Sequence, residues 1–263
     1  MQSRRTLLFA GIASLAGACL PARAQNGRIE GLGEAIDMAG AQRMLSQRMG
    51  KAWLGQLRPE LAGRARHVLR DSEARFERQL GELLAYAPTP AIAGSYRALK
   101  HRFGDYRALL QCAPCRERVD ELLQCSGEML NIAQIATGQL QERSRENSAR
   151  LVNLSGRQRM LSQRLALYYL AGQQGARPEL VRQETARARF EFEAALQALA
   201  ASAEATPAIR ANLELARNQW VFLQSALTGE SQGPQAADDV FVASENLLTV
   251  METVTGQFAR QLG

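Results

Sequence analysis

The heptapeptide QRMLSQR stands at 42–48 and again, unchanged, at 158–164, 116 residues further on. Core positions drift readily among Leu, Met and Ile, because swaps of similar volume cost little. Here the polar members Gln42, Arg43, Ser46, Gln47 and Arg48 are kept beside the apolar ones while the flanks have diverged. That pattern points to a constraint on polar chemistry. A guanidinium presents a planar fork of N–H donors that matches a small planar oxyanion, and neighbouring amides and hydroxyls extend the set. Gly40 and Gly156 each precede the first arginine of a copy by three residues, and a glycine lets a backbone or a ligand come close. The candidate binding residues are therefore Gly40, Arg43, Gln47 and Arg48, with Gly156, Arg159, Gln163 and Arg164 as their counterparts.

On a helical wheel, Gln42 falls in the middle of a stripe formed by Ala35, Met38, Leu45, Met49, Ala52 and Trp53. Arg43 and Gln47 lie on a second face, Met44 and Arg48 on a third. A helix with an apolar stripe and solvated arginines would look similar in one copy; the second copy favours a site.

The repeat is wider than the heptapeptide. RPEL occurs at 58–61 and 177–180, ARFE at 74–77 and 188–191, TPAI at 89–92 and 206–209, and TGQL at 137–140 matches TGQF at 255–258. Phe103 answers to Trp220. The offset stays between 114 and 119, so an internal duplication divides the chain at about 144/145. Each half, 25–144 and 145–263, reads as four helices. Ala, Leu, Gln, Arg and Glu are plentiful, and no long run of β-branched residues argues for strands. In half one the breaks fall at Arg58-Pro59, at APTP with Thr89 as a cap, and at the cysteines; Pro59 is expected in the first turn of the second helix. Short connections make neighbours antiparallel. The expected fold is all-α: two tandem up-down antiparallel four-helix bundles. Neither Pro nor Gly lies between Gly138 and Gly156, so a long continuous helix is expected to join the bundles end to end as a rod. A bend near Asn147 or Asn153 would instead lay them side by side. A rod would need a homodimer to bring two copies of the helix together; the side-by-side form would pair Arg43 with Arg159 in one chain.

The first 24 residues read as an export signal: a basic start, an apolar stretch from Leu7 to Leu20, and Ala22-Arg23-Ala24 before Gln25. General secretion and twin-arginine export, through SRRTLL, both fit. Cys19 lacks the preceding Leu that lipidation expects. The implied location is periplasmic, with no membrane span in the mature chain. The formal charge of +6 falls to +3 without Arg4, Arg5 and Arg23, too mild for a nucleic-acid-binding protein.

AIDMAGAQRMLSQRM and NLSGRQRMLSQRLA resemble the signature helix of the PilJ/NarX-type periplasmic sensor domain, a family of four-helix bundles. It is found in type IV pilus chemotaxis transducers and in nitrate/nitrite sensor kinases. The resemblance covers both halves. It implies a sensor that holds a nitrate- or nitrite-like anion between two copies of this helix, contacted by Gly40 and Arg43 and by Gly156 and Arg159. Family members usually continue into a membrane helix and an output module. None follows Gly263, which implies action through a partner such as a membrane sensor or chemoreceptor. The alternative is a helical interaction module without a small ligand, for example one docking on a sensor ectodomain or pilus component.

Cys112, Cys115 and Cys125 have no counterparts in half two. An oxidising compartment favours a disulfide, either Cys112–Cys115 or Cys112–Cys125. CAPC is not followed by His, which argues against haem attachment. With two histidines, His67 and His101, and no Ser-His-Asp, Gly-rich phosphate or zinc pattern, neither an enzyme nor a resident cofactor is expected.

Overall fold

The computed structural model describes residues 29–228 and 235–262. The expected leader, with Arg4, Arg5 and Cys19, lies outside them. Among the described residues the chain is helical. Half one comprises α1 (Leu32–Gly55), α2 (Ala62–Tyr86), α3 (Pro90–Leu110) and α4 (Val119–Gln141), with a short 3-10 turn at Arg116–Arg118. Half two comprises α5 (Asn147–Gln173), α6 (Pro178–Ala201), α7 (Pro207–Thr228) and α8 (Gln235–Ala259). Among the described residues no helix is long and apolar enough to cross a membrane.

Local chemistry explains several boundaries. Thr89 Oγ1 accepts the N–H of Ile92 at 3.3 Å, and Thr206 Oγ1 that of Ile209 at the same distance, so both TPAI segments start a helix the same way. Pro59 does not open α2. It sits in a tight turn closed by Leu61 N–H to Arg58 O at 3.0 Å, and α2 starts three residues later at Ala62.

In each half the first helix packs against the second and the fourth, and the third packs mainly on the fourth. Stacked rings fill equivalent places: Phe76 on Phe103 at 4.4 Å, and Phe192 on Trp220 at 4.3 Å. The counterpart of Phe76 is thus Phe192, not the Phe190 that the ARFE match indicates. Phe190 is 74% exposed. The string ARFE recurs two residues out of structural register.

The end-to-end join does not form. α4 stops at Gln141, and α5 begins at Asn147. Residues 142–147 are polar and largely exposed, so a helix there would have no face to bury. Ser144 closes the bend by accepting the N–H of Glu146 at 3.1 Å. The chain folds back, and α5 runs beside α1 in the same direction. The α1–α5 pairing is the most extensive between any two helices described. The bundles therefore lie side by side, related by an approximate twofold axis along the α1–α5 seam.

Candidate functional site

The two signature helices meet at their glycines. A Cβ on Gly40 would lie 3.9 Å from the Cα of Gly156, so the backbones nearly touch there. It would also lie 3.1 Å from Nη2 of Arg43 and 3.3 Å from Nη2 of Arg159; a Cβ on Gly156 would meet the same two nitrogens at 3.4 and 3.2 Å. Both guanidinium groups thus converge over the paired glycines. Helical side chains lean toward the N-terminus, so each arginine reaches a carbonyl of the opposite helix. Arg43 Nη2 donates to Asn153 O at 3.2 Å, and Arg159 Nη2 to Asp37 O at 2.9 Å.

Both arginines are out of water: Arg43 is 0% exposed and Arg159 2%. Such a charge is costly unless it is paired and hydrogen-bonded. The pairing is incomplete. Asp37 Oδ1 lies 2.6 Å from Arg159 Nη2, but Arg43 has only neutral partners: Asn153 O, and Gln134 Oε1 at 2.7 Å from Nη1. The Nε groups of Arg43 and Arg159 are buried without a hydrogen-bond partner. Burial, with Arg157 and Arg159 nearby, pulls the Arg43 pKa down to about 9. It stays charged at neutral pH, and the seam carries uncompensated positive charge. Gln134 also lines a polar cleft of about 220 Å³ between α4, α5 and α6, whose rim includes Arg157, Arg164 and Arg187. The cleft therefore approaches the seam through the side chain that holds Arg43.

The remaining signature residues do not join this centre. Gln47 Nε2 donates to Ser126 Oγ at 2.8 Å, and Gln163 Nε2 to Ser244 O at 2.9 Å; both pin the signature helix to the fourth helix of its own half. Arg48 is held by Glu245 at 2.5 Å, and Arg164 by Glu184 at 2.7 Å and by Gln47 Oε1 at 2.8 Å. Gln42 lies in the core and donates to Gln79 at 3.3 Å; Gln158 is equally buried, with no partner for either amide atom. Of the eight residues singled out from the sequence, Gly40, Arg43, Gly156 and Arg159 come together, and four support the frame.

Sequence reasoning passed over Asp37, Asn153 and Gln134. Asp37 and Asn153 stand at the same 116-residue offset as the arginines, three before each glycine, which was a usable signal. It also passed over Lys51, fully buried in α1. Its ammonium lies 2.6 Å from Glu245, 3.0 Å from Ser244 Oγ and 4.2 Å above the Phe241 ring. Burial lowers the Lys51 pKa to about 8 against the opposing pull of Glu245. Burial alone would raise the Glu245 carboxyl; Lys51 and Arg48 hold it down to about 2. The three cysteines among the described residues are free thiols: Cys112 exposed, Cys115 half-buried and Cys125 buried in α4. Arg102 Nη2 approaches Cys125 Sγ at 3.4 Å.

The family model described as Type IV pili methyl-accepting chemotaxis transducer N-term matches residues 25–119 and again 141–244, one segment in each half. No curated protein and no solved structure matches the chain.

Proposed function

Since the chain belongs to the family of type IV pili methyl-accepting chemotaxis transducer N-terminal domains, with two tandem copies, a sensory and signalling family, we propose that its seam is the sensing site and that its ligand is a small oxyanion such as nitrate or nitrite. The observation that carries this reading is the pair of buried, under-neutralised arginines over two touching glycines. Two converging guanidinium forks with unused Nε donors suit a planar anion, which would take up those donors and offset the charge of Arg43. An exposed arginine would hold such an ion weakly, since exposed pairs contribute about 0–1 kcal/mol. Gln47, Arg48, Gln163 and Arg164 then keep the two signature helices in register rather than touching the ligand. The protein works in the periplasm, passing occupancy of the seam to a membrane sensor or chemoreceptor. The pairing of arginines is complete within one chain, so binding needs no homodimer.

Isothermal titration with nitrate and with nitrite tests this. Heat is expected with the wild-type protein and none with Arg43→Ala or Arg159→Ala. Absence of heat and of thermal stabilisation with both anions would remove the anion reading. The second reading is a protein-docking module in which the seam is packing only. Phe190, Val221 and Phe222 are exposed apolar side chains on α6 and α7 and would suit a protein partner. Under that reading Arg43→Ala retains partner binding while no anion binds.

A further inference from the structure

The seam is symmetric in its backbone and asymmetric in its charge. At a constant offset of 116, Gly40 answers to Gly156, Arg43 to Arg159 and Asp37 to Asn153. The carbonyls of Asp37 and Asn153 do the same work, each accepting Nη2 of the arginine on the opposite helix at 2.9 and 3.2 Å. Their side chains do not. The Asp37 carboxylate lies 2.6 Å from Arg159 Nη2, with Oδ1 buried and no N–H aimed at it. It supplies charge while leaving donors unused. The Asn153 amide turns away to Gln141 Oε1 at 2.5 Å and carries no charge. Arg157, the other cation nearby, is turned to Glu191 at 2.6 Å, a carboxylate it shares with Arg187 at 2.9 Å. Two buried guanidinium groups thus share one carboxylate.

We propose that Asp37 fixes the charge class of the ligand: it cancels one of the two arginines, so the seam accepts a monoanion and excludes a dianion. This rests on the anion reading above. With Asp37 in place, a bound monoanion leaves the buried centre neutral, whereas a dianion leaves it with an unmatched negative charge, which a buried site penalises. Asp37 is partly exposed and lines a cleft with Glu30, Glu34 and Arg260, so three carboxylates face one guanidinium there and the potential on that side is net negative.

The test compares sodium nitrate with sodium sulfate at constant ionic strength, by titration and by thermal shift. The proteins are wild type, Asp37→Asn, Asp37→Glu and Asn153→Asp. Asp37→Asn recreates the residue already present at 153, so it fits the same backbone. Wild type is expected to respond to nitrate and not to sulfate. Asp37→Asn should gain sulfate binding, with the sulfate-to-nitrate preference shifted by about tenfold or more as one buried charge is removed. Asp37→Glu should still exclude sulfate. Asn153→Asp, which adds the reciprocal carboxylate, should lose the nitrate response. If wild type binds nitrate and Asp37→Asn keeps the same preference, the role of Asp37 is overturned while the anion site stands. If wild type binds neither ion but Asp37→Asn binds one, Asp37 does set the charge of the seam and the anion is not the native ligand. If no variant binds either ion, both ideas fall.

Discussion

Arg43 is the residue whose burial most needs a reason. A buried cation with only neutral partners usually costs stability, and replacing such a group with an apolar side chain of similar volume is often neutral or stabilising. Arg43→Met is therefore expected to leave unfolding free energy in anion-free buffer within about 1 kcal/mol of wild type, or to raise it, while removing the nitrate response. Denaturant melts with and without nitrate read both quantities. A loss of several kcal/mol without nitrate would mean that Arg43 is a structural residue, through Gln134 and Asn153. Gly40→Ala gives an independent view. The new Cβ would press on the flexible ends of Arg43 and Arg159 at 3.1 and 3.3 Å rather than on backbone. The expected result is weaker nitrate binding with a modest change in melting temperature. These four residues were legible because both copies carry them. Asp37 stands at the same offset but was overlooked, because the repeat changes it to Asn153, and a search for what two halves share passes over what one half alters.

The helices themselves were easy to find and their junctions were not. Thr89 and Thr206 announce α3 and α7 through their caps. The break at 142–146 contains no Pro or Gly; it follows from a lack of apolar residues to bury, a weaker signal than a helix breaker. Register within α6 was misread because ARFE matched as letters, while the ring that packs is Phe192. The tie between α1 and α8 was also hidden, since it has no twin: Gly127 follows Ser126 where Glu245 follows Ser244. Glu245 joins Lys51 and Arg48 across the two halves. Glu245→Gln leaves Lys51 buried without a counter-charge and should cost about 3–5 kcal/mol. The native carboxyl is held at about 2, below its ordinary 4.5. Its contribution is full above pH 4.5 and is lost as pH falls toward 2. Urea midpoints measured from pH 6 to pH 2 should therefore fall more steeply for wild type than for Glu245→Gln. Parallel curves would show that this carboxylate does not carry the tie.

The whole molecule brings two copies of one sensor bundle into a single chain and lays them in parallel. A helix of 25 residues spans about 38 Å, so side-by-side bundles should give a largest dimension near one helix length plus loops. An end-to-end rod would approach twice that. Small-angle X-ray scattering on residues 25–263 separates the two, and a rod-like profile would dismantle the seam. The side-by-side arrangement places Arg43, Arg159, Gly40 and Gly156 at one centre, and everything proposed about sensing depends on that centre. A crystal structure of residues 25–263 grown with saturating sodium nitrate tests it most directly. One planar anion per chain is expected between the two signature helices, hydrogen-bonded by Arg43 and Arg159. A seam unchanged from the ligand-free form, with nitrate ordered elsewhere or nowhere, would contradict the account.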